Sequence, residues 1–190
     1  MSDPVLQNSA ATSRLRHDSD DDRDEKEKEL QTEALLCAFQ TLGKTWPNNT
    51  QTQERFQLDL CCLMCERLKL STWRVQVGVL QSMKTYFQRL LLLEKEKDNQ
   101  NFTALSLILT ETCSALTHPL ENKSYSSVRT EALSVVELLV KRTGESGQWE
   151  CVSGKSREQL QRSLSTLQTD SRPDLRDKAQ ELRRNIQSQP

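Results

Sequence analysis

The chain has 190 residues, 35% hydrophobic and 28% charged, with a formal net charge of -1 and a mean hydropathy of -0.70. So near-neutral a balance supplies no global positive field, which argues against nucleic acid, or an anionic membrane reached by charge, as a partner. No stretch is long and apolar enough to cross a bilayer, the leucine run Leu90 to Leu93 included. The first ten residues lack the basic patch and apolar core of a signal peptide. Together these features predict a cytoplasmic and nuclear protein with no direct membrane insertion. They also predict free thiols at Cys37, Cys61, Cys62, Cys65, Cys113 and Cys151.

Residues 1–24 are rich in Ser, Asp and Asn, and Asp18 to Glu29 holds eight acids against Arg23, Lys26 and Lys28. Such a run buries too little to offset the entropy of ordering, so 1–24 is expected as a disordered acidic tail. A helical domain is expected over 25–188. Its first helix spans about Glu25 to Leu42, with Leu30, Ala34, Leu35, Ala38, Phe39 and Leu42 on one face and Gly43 as terminator. Asn48, Asn49 or Thr50 caps the second helix, Gln51 to Leu68, whose face is Phe56, Leu60, Leu63, Met64 and Leu68. The third runs from Thr72 to about Glu94, with Trp73, Val77, Leu80, Met83, Phe87, Leu90 and Leu91 inward.

Glu94 to Asn101 reads as a charged connector. The fourth helix is Phe102 to Thr117, stopped by His118-Pro119, with Leu105, Ile108, Leu109, Thr112 and Leu116 along its seam. The fifth follows Ser124 and carries Val128, Ala132, Leu133, Val135, Val136, Leu139 and Val140. Gly144 to Gly154 reads as a loop holding Trp149 and Cys151. The sixth helix is Ser156 to Leu167, and the seventh begins near Pro173 with Leu175, Ala179, Leu182 and Ile186 inward.

Four of these helices share one register. Leu30, Val75, Val128 and Leu175 open it, 45, 53 and 47 residues apart, and one other helix lies between successive copies. Thr32-Glu33-Ala34-Leu35 repeats as Thr130-Glu131-Ala132-Leu133. A helix-turn-helix unit of roughly 40–47 residues is the period of HEAT and armadillo arrays. The fold expected is therefore all-α: an α-solenoid fragment of about three helical hairpins plus one leading unpaired helix. Ala34, Val79, Ala132 and Ala179 occupy one register position, where stacked hairpins need close backbones. Ser71, Ser124 and Ser171 stand where caps of the second helices belong. The first helix matches second helices of the hairpin, so its own partner is missing from the pattern. Its amino-terminal side is expected as exposed apolar surface, prone to self-association or to covering by preceding repeats.

Chemical sites are sparse. Cys62 and Cys65 form a C-x-x-C beside Cys61, but a zinc site needs further ligands, and the motif lies mid-helix. Cys113 and His118 are five residues apart, a conceivable thiol–imidazole pair without an orienting third group. Trp46 and Trp149, at helix ends or loops, are candidate partner anchors. Core or edge thiols are the plainer reading of the cysteines. A thiol- or metal-dependent enzyme or regulator using Cys61, Cys62 and Cys65 is the alternative to a non-enzymatic binding protein.

The second helices resemble those of HEAT repeats in the aliphatic-Arg pairs Val128-Arg129 and Leu175-Arg176. That resemblance implies an Asp six residues ahead of the Arg, which Asp170 supplies for Arg176. Several longer strings are similar to the carboxy-terminal end of the proteasome adaptor and scaffold family. They are ALLCAFQTLGKTWP (34–47), LCCLMCERLKLSTWRVQVGVLQSM (60–83), LENKSYSSVRTEALSVVELL (120–139), QWEC (148–151) and DSRPDL (170–175). The resemblance implies a scaffold without cofactor that binds proteasome subunits and joins them to motor or compartment-specific adaptors. It implies roles in proteasome assembly, quality control, oxidative-stress response and ER-associated degradation, with recruitment to the endoplasmic reticulum, endosomes or centrosome.

Overall fold

The computed structural model describes the backbone of residues 8–45, 49–93 and 102–189. Among them lie seven α-helices: α1 (Asn8–Thr45), α2 (Thr50–Leu70), α3 (Trp73–Leu93), α4 (Phe102–Leu120), α5 (Ser126–Ser146), α6 (Gly154–Thr166) and α7 (Pro173–Gln187). Short 3-10 turns at Gln148–Cys151 and Leu167–Thr169 follow α5 and α6. Trp46, the connector at 94–101 and the side chain of Leu91 lie outside the described residues.

The helices form two layers. α1, α3, α5 and α7 pack side by side in one, and α2, α4 and α6 in the other. Each of the hairpins α2–α3, α4–α5 and α6–α7 spans both layers, and the core lies between them. The shared register explains this arrangement. Val75, Val79, Leu80, Met83, Phe87 and Leu90 of α3 are buried, as are Val128, Ala132, Leu133, Val136, Val140 and Thr143 of α5 at the same positions. Leu175, Ala179, Leu182 and Ile186 continue the stripe in α7. Burying one such aliphatic side chain contributes about 1.5–3 kcal/mol, against roughly 0–1 for an exposed ion pair. The stripe therefore sets the stacking, and surface charges only adjust it.

α1 departs from its copies. Leu30 is 70% exposed, Ala34 and Ala38 are exposed, and Leu35 and Leu42 are half-buried. The inward face expected for this helix is thus largely open, because among the described residues its main neighbour is α3 of the same layer. Ala34 does not make the close contact that Val79, Ala132 and Ala179 make, each 0% exposed. What holds α1 is its side toward α3. Phe39 is buried, and the Ser82 hydroxyl donates to the Phe39 carbonyl at 2.5 Å. Gly43 does not terminate the helix. It lies inside α1, where an added Cβ would stand 3.0 Å from the Ser82 α-carbon. Gly78 likewise leaves room for Leu36, whose Cδ1 lies 2.3 Å from where a Cβ would stand. Gly43 serves close approach of two helix backbones, whereas Gly78 makes room for a side chain.

Other boundaries differ from expectation for local reasons. The helical backbone of α1 begins at Asn8, well before Glu25, so the segment expected as a disordered tail is helical from there. No Gly or Pro interrupts residues 8–42, and acid–base spacing such as Asp24 to Lys28 favours a helix. α4 runs through Pro119 to Leu120, which is 0% exposed and draws the last turn into the core. The Gly144 to Gly154 loop is mostly ordered: α5 continues to Ser146, and Gly147 takes a left-handed φ of 69° to start the 3-10 turn. Asn49 caps α2, its side chain accepting from Thr52 N at 3.0 Å. Ser124 and Ser171 cap nothing. Asn122 Oδ1 accepts from the Ser124 and Tyr125 amides, and Asp170 Oδ1 from the Arg172 amide.

Candidate interaction surface

The turns joining the two helices of each hairpin lie along one edge. A long polar side chain at the second register position ties each turn down. Gln76 Nε2 donates to the Leu68 carbonyl at 2.8 Å, Arg129 Nη1 to the Asn122 carbonyl at 2.6 Å, and Arg176 Nη1 to the Asp170 carbonyl at 2.7 Å. The Leu68 link satisfies a carbonyl that the end of α2 leaves without an intrahelical partner, and the other two hold carbonyls of the turns beyond α4 and α6.

The Asp–Arg pairing differs from the one that the resemblance implies. The Asp170 carboxylate does not reach Arg176; it crosses to Arg129 of the preceding hairpin. Arg129 Nη2 donates to Asp170 Oδ1 at 3.2 Å, and Nε lies 2.6 Å from Oδ2 but off the hydrogen-bonding direction. Both side chains are buried, 9% and 6% exposed. Burial by itself would raise the Asp170 pKa, but the Arg172 amide and the Arg129 guanidinium hold it below the usual carboxylate value. This pair spans a shallow groove between the α4–α5 and α6–α7 turns, lined also by Leu120, Asn122, Lys123 and Ser171.

Farther along the edge, Trp73 stacks on Tyr125 with ring centroids 4.9 Å apart and planes 17° from parallel. Trp73 is 38% and Tyr125 42% exposed. Trp73 was expected in the core stripe, but it precedes the first buried position, Val75, and faces the next turn instead. Leu70, 71% exposed, ends α2 on the same edge. This platform escaped the sequence reading because its rings come from different hairpins and share no periodicity. Trp149, expected as a partner anchor, is 1% exposed and cannot act as one. The 3-10 turn folds it under α5, among residues that include Val152 and Leu160 in the continuous core.

The thiols do not converge on a reactive centre. Cys61 Sγ lies 3.9 Å from Cys65 Sγ and 3.4 Å from Thr112 Oγ1, inside the α2–α4 contact. The hydrogen bond between the two thiols, together with burial, pushes Cys65 far above the usual thiol value. Cys62, the other half of the C-x-x-C, is exposed. Burial pushes Cys113 up to about 12, while His118 is exposed. Five residues place those two about 140° apart around a helix. The thiolate is the nucleophile and the metal ligand, so the raised values at Cys65 and Cys113 oppose both uses; the hydrogen bond from Cys65 lowers Cys61, but that thiol is fully buried. Among the described residues no group of three His, Cys, Asp or Glu side chains is placed to hold a metal ion. No helix among them is long and apolar enough to cross a membrane.

Stacked hairpins and a core continuous from copy to copy define a helical-repeat protein of the HEAT/armadillo type, an all-α solenoid fragment. Within that class the chain belongs to the ECM29 family: the model for ECM29, C-terminal ARM-like repeats, matches residues 1–184. This is a non-enzymatic family of repeat scaffolds. The chain is similar to the human "Proteasome adapter and scaffold protein ECM29", 53% identical over 184 residues covering 97% of this chain and 10% of that protein. It is also similar to the Drosophila melanogaster "Proteasome-associated protein ECM29 homolog", 27% identical over 195 residues covering 85% of this chain and 10% of that protein. The chain thus spans about a tenth of the length of the curated relatives it matches. No solved structure matches it.

Proposed function

We propose that this chain is a scaffold segment that contacts the proteasome through its turn edge and helps join it to other proteins. Family membership and the names of both relatives support the proteasome as partner. The exposed Trp73–Tyr125 stack supports the turn edge as the contact. Tryptophan and tyrosine supply large rigid contact area and are enriched at interface hot spots. At finer grain the proposal extends to proteasome assembly, quality control and ER-associated degradation. Motor and compartment-specific adaptors are further partners in this reading. The sites of action proposed are the cytoplasm and nucleus, with recruitment to endoplasmic reticulum, endosomes or centrosome.

Capture of purified proteasome on the immobilised chain tests the reading. Trp73→Ala with Tyr125→Ala is expected to lower capture at least tenfold without moving the thermal midpoint by more than a few degrees. Undiminished capture by that variant would remove the turn edge from the contact. No capture by the parent chain would remove the proteasome as its direct partner.

A further inference from the structure

The turn edge carries charge as well as rings. The stretches 67–73 and 122–127 bring Arg67, Lys69 and Lys123 together with the two stacked aromatics and hold no acid. In a chain of net charge -1 this is a local excess of positive charge. Other cations of the edge are already engaged: Arg74 with Glu33, Arg129 with Asp170 and Arg172 with Asp174. Among the described residues, Arg67, Lys69 and Lys123 form no ion pair. Lys69 and Lys123 are exposed. Lys123 stands two residues from Tyr125 and Lys69 four from Trp73, so their backbones lie within about 7 and about 14 Å of those that carry the rings. Lys123 also borders the groove between the α4–α5 and α6–α7 turns, a volume of about 400 Å³. Platform and groove thus form one track with Lys123 at the join. The acids beside it are Glu66 and Glu121, and Glu121 accepts from the Ser163 hydroxyl at 2.6 Å. Glu29 and Glu33 of α1 flank Arg74, on the side of α3 opposite α5.

We propose that this track seats an extended, acidic segment of a partner protein, with carboxylates toward Lys69 and Lys123 and an apolar side chain on Leu70 and the Trp73–Tyr125 stack. The seat belongs to the turn-edge contact proposed above and rests on that reading. Unpaired ammonium groups on a rim favour a partner of opposite charge and steer its approach. Neighbouring helices pack about 8–10 Å apart, while a helix with its side chains is about 10–12 Å across, so the segment enters between turns as extended chain. A single nucleic-acid strand fits less well. It stacks bases on open ring faces along a continuous basic groove. Here the two rings lie 17° from parallel and cover one face of each other. Leu70, 71% exposed, adds aliphatic surface that bases and phosphates would leave wet.

Fluorescence anisotropy on the 190-residue chain reads the assignment. The probe is a fluorescein-labelled peptide of alternating glutamate and serine around a central leucine–phenylalanine pair, and its isostere carries glutamine for every glutamate. At low salt the acidic peptide is expected to bind at least tenfold tighter than the isostere, with the difference shrinking at high salt. Lys69→Glu with Lys123→Glu is expected to remove that difference. Both lysines are exposed, so the melting curve should not move. Trp73→Ala with Tyr125→Ala is expected to weaken the acidic peptide at least tenfold at unchanged charge. Equal binding of the two peptides, binding of neither, or a difference that survives in the lysine variant overturns the seat. Tighter binding of a fluorescein-labelled oligothymidylate at equal salt overturns the occupant in favour of nucleic acid. Proteasome is absent from this assay. Peptide binding without proteasome capture would remove the function proposed above alone, and capture without peptide binding would remove this seat alone.

Discussion

The two ends of this array are built from the same repeat and finish differently. At the α1–α2 end, Leu30, Phe56 and Leu63 are exposed, and Leu70 and Trp73 follow on the adjoining edge. At the α6–α7 end the outer residues are polar: Asp174, Asp177, Gln180, Glu181 and Arg184 on α7, Arg172 just before it, and Lys155, Glu158 and Arg162 on α6. Among the described residues, no large hydrophobic side chain beyond Tyr125 is exposed. The α6–α7 end thus presents a polar outer face, as the terminal repeats of solenoids do, and the α1–α2 end an apolar one.

The lateral contacts change along the same axis. Phe39, Lys84 and Glu137 share one register position and Gly78, Glu131 and Lys178 another, and the two meet at the α3–α5 and α5–α7 contacts. Between α1 and α3 these two positions carry no charge, Ser82 bonding the Phe39 carbonyl and Leu36 lying over Gly78, and the ion pair there is Arg74 with Glu33 instead. The α3–α5 contact joins Lys84 Nζ to Glu131 Oε2 at 3.3 Å, and the α5–α7 contact reverses the charges, with Lys178 to Glu137. Equal backbone geometry thus accepts apolar, basic–acidic and acidic–basic rungs, which discourages one pair of neighbours from slipping into another's place.

The contrast between ends can be broken most strongly at the cross-repeat ion pair. Asp170→Ala leaves the Arg129 guanidinium buried with no carboxylate and is expected to cost about 3–5 kcal/mol, read from denaturant midpoints at neutral pH. Gln76, at the equivalent place nearer α1, has no carboxylate to lose, and Gln76→Ala is expected to cost about 1 kcal/mol. The Asp170 carboxyl titrates below its usual value, so the ionised form stabilises the fold. That stability is fully present above the ordinary carboxylate pKa of about 3.9. It is lost as pH falls through that value and on through the lower folded one. The gap between the parent chain and Asp170→Asn should therefore close below about pH 4; a gap constant from pH 7 to 3 would show that the carboxylate charge is not what the pair contributes.

A sharper comparison uses one register position twice. Ala132 is 0% exposed and Ala34 is exposed. Ala132→Phe overpacks the interlayer contact and is expected to cost about 1–3 kcal/mol. Ala34→Phe in the isolated chain is expected to stay within about 0.5 kcal/mol of the parent. Equal losses in thermal unfolding would mean that α1 is covered in solution. The smallest effect belongs to the surface rung. Lys178→Ala should cost about 0.2–1 kcal/mol, and less at 1 M salt, because the Lys178–Glu137 pair is part-exposed and screened.

The α3, α5 and α7 stripes were legible because each buried position recurs at helical spacing, and the recurrence of Thr-Glu-Ala-Leu placed α1 in the same register. The face of α1 that would be buried was misjudged for the same reason. Register identifies an apolar face but not whether a neighbour covers it. Gly43 illustrates a related limit. A glycine near a helix end and a glycine at a helix crossing look alike in one dimension, and only the position of Ser82 separates them. The candidate surface was less legible still. Trp149 and Trp73 are both aromatic residues near element boundaries, yet one is folded under α5 and the other stacks in the open.

The amino-acid sequence by itself determined the helices, their order and the repeat, because periodic burial and turn residues act over one or two helical turns. Tertiary structure decided which copies are covered, where Asp170 finds its arginine and which rings meet at the surface. Those contacts join side chains more than forty residues apart, and their strength depends on burial that no single helix can provide.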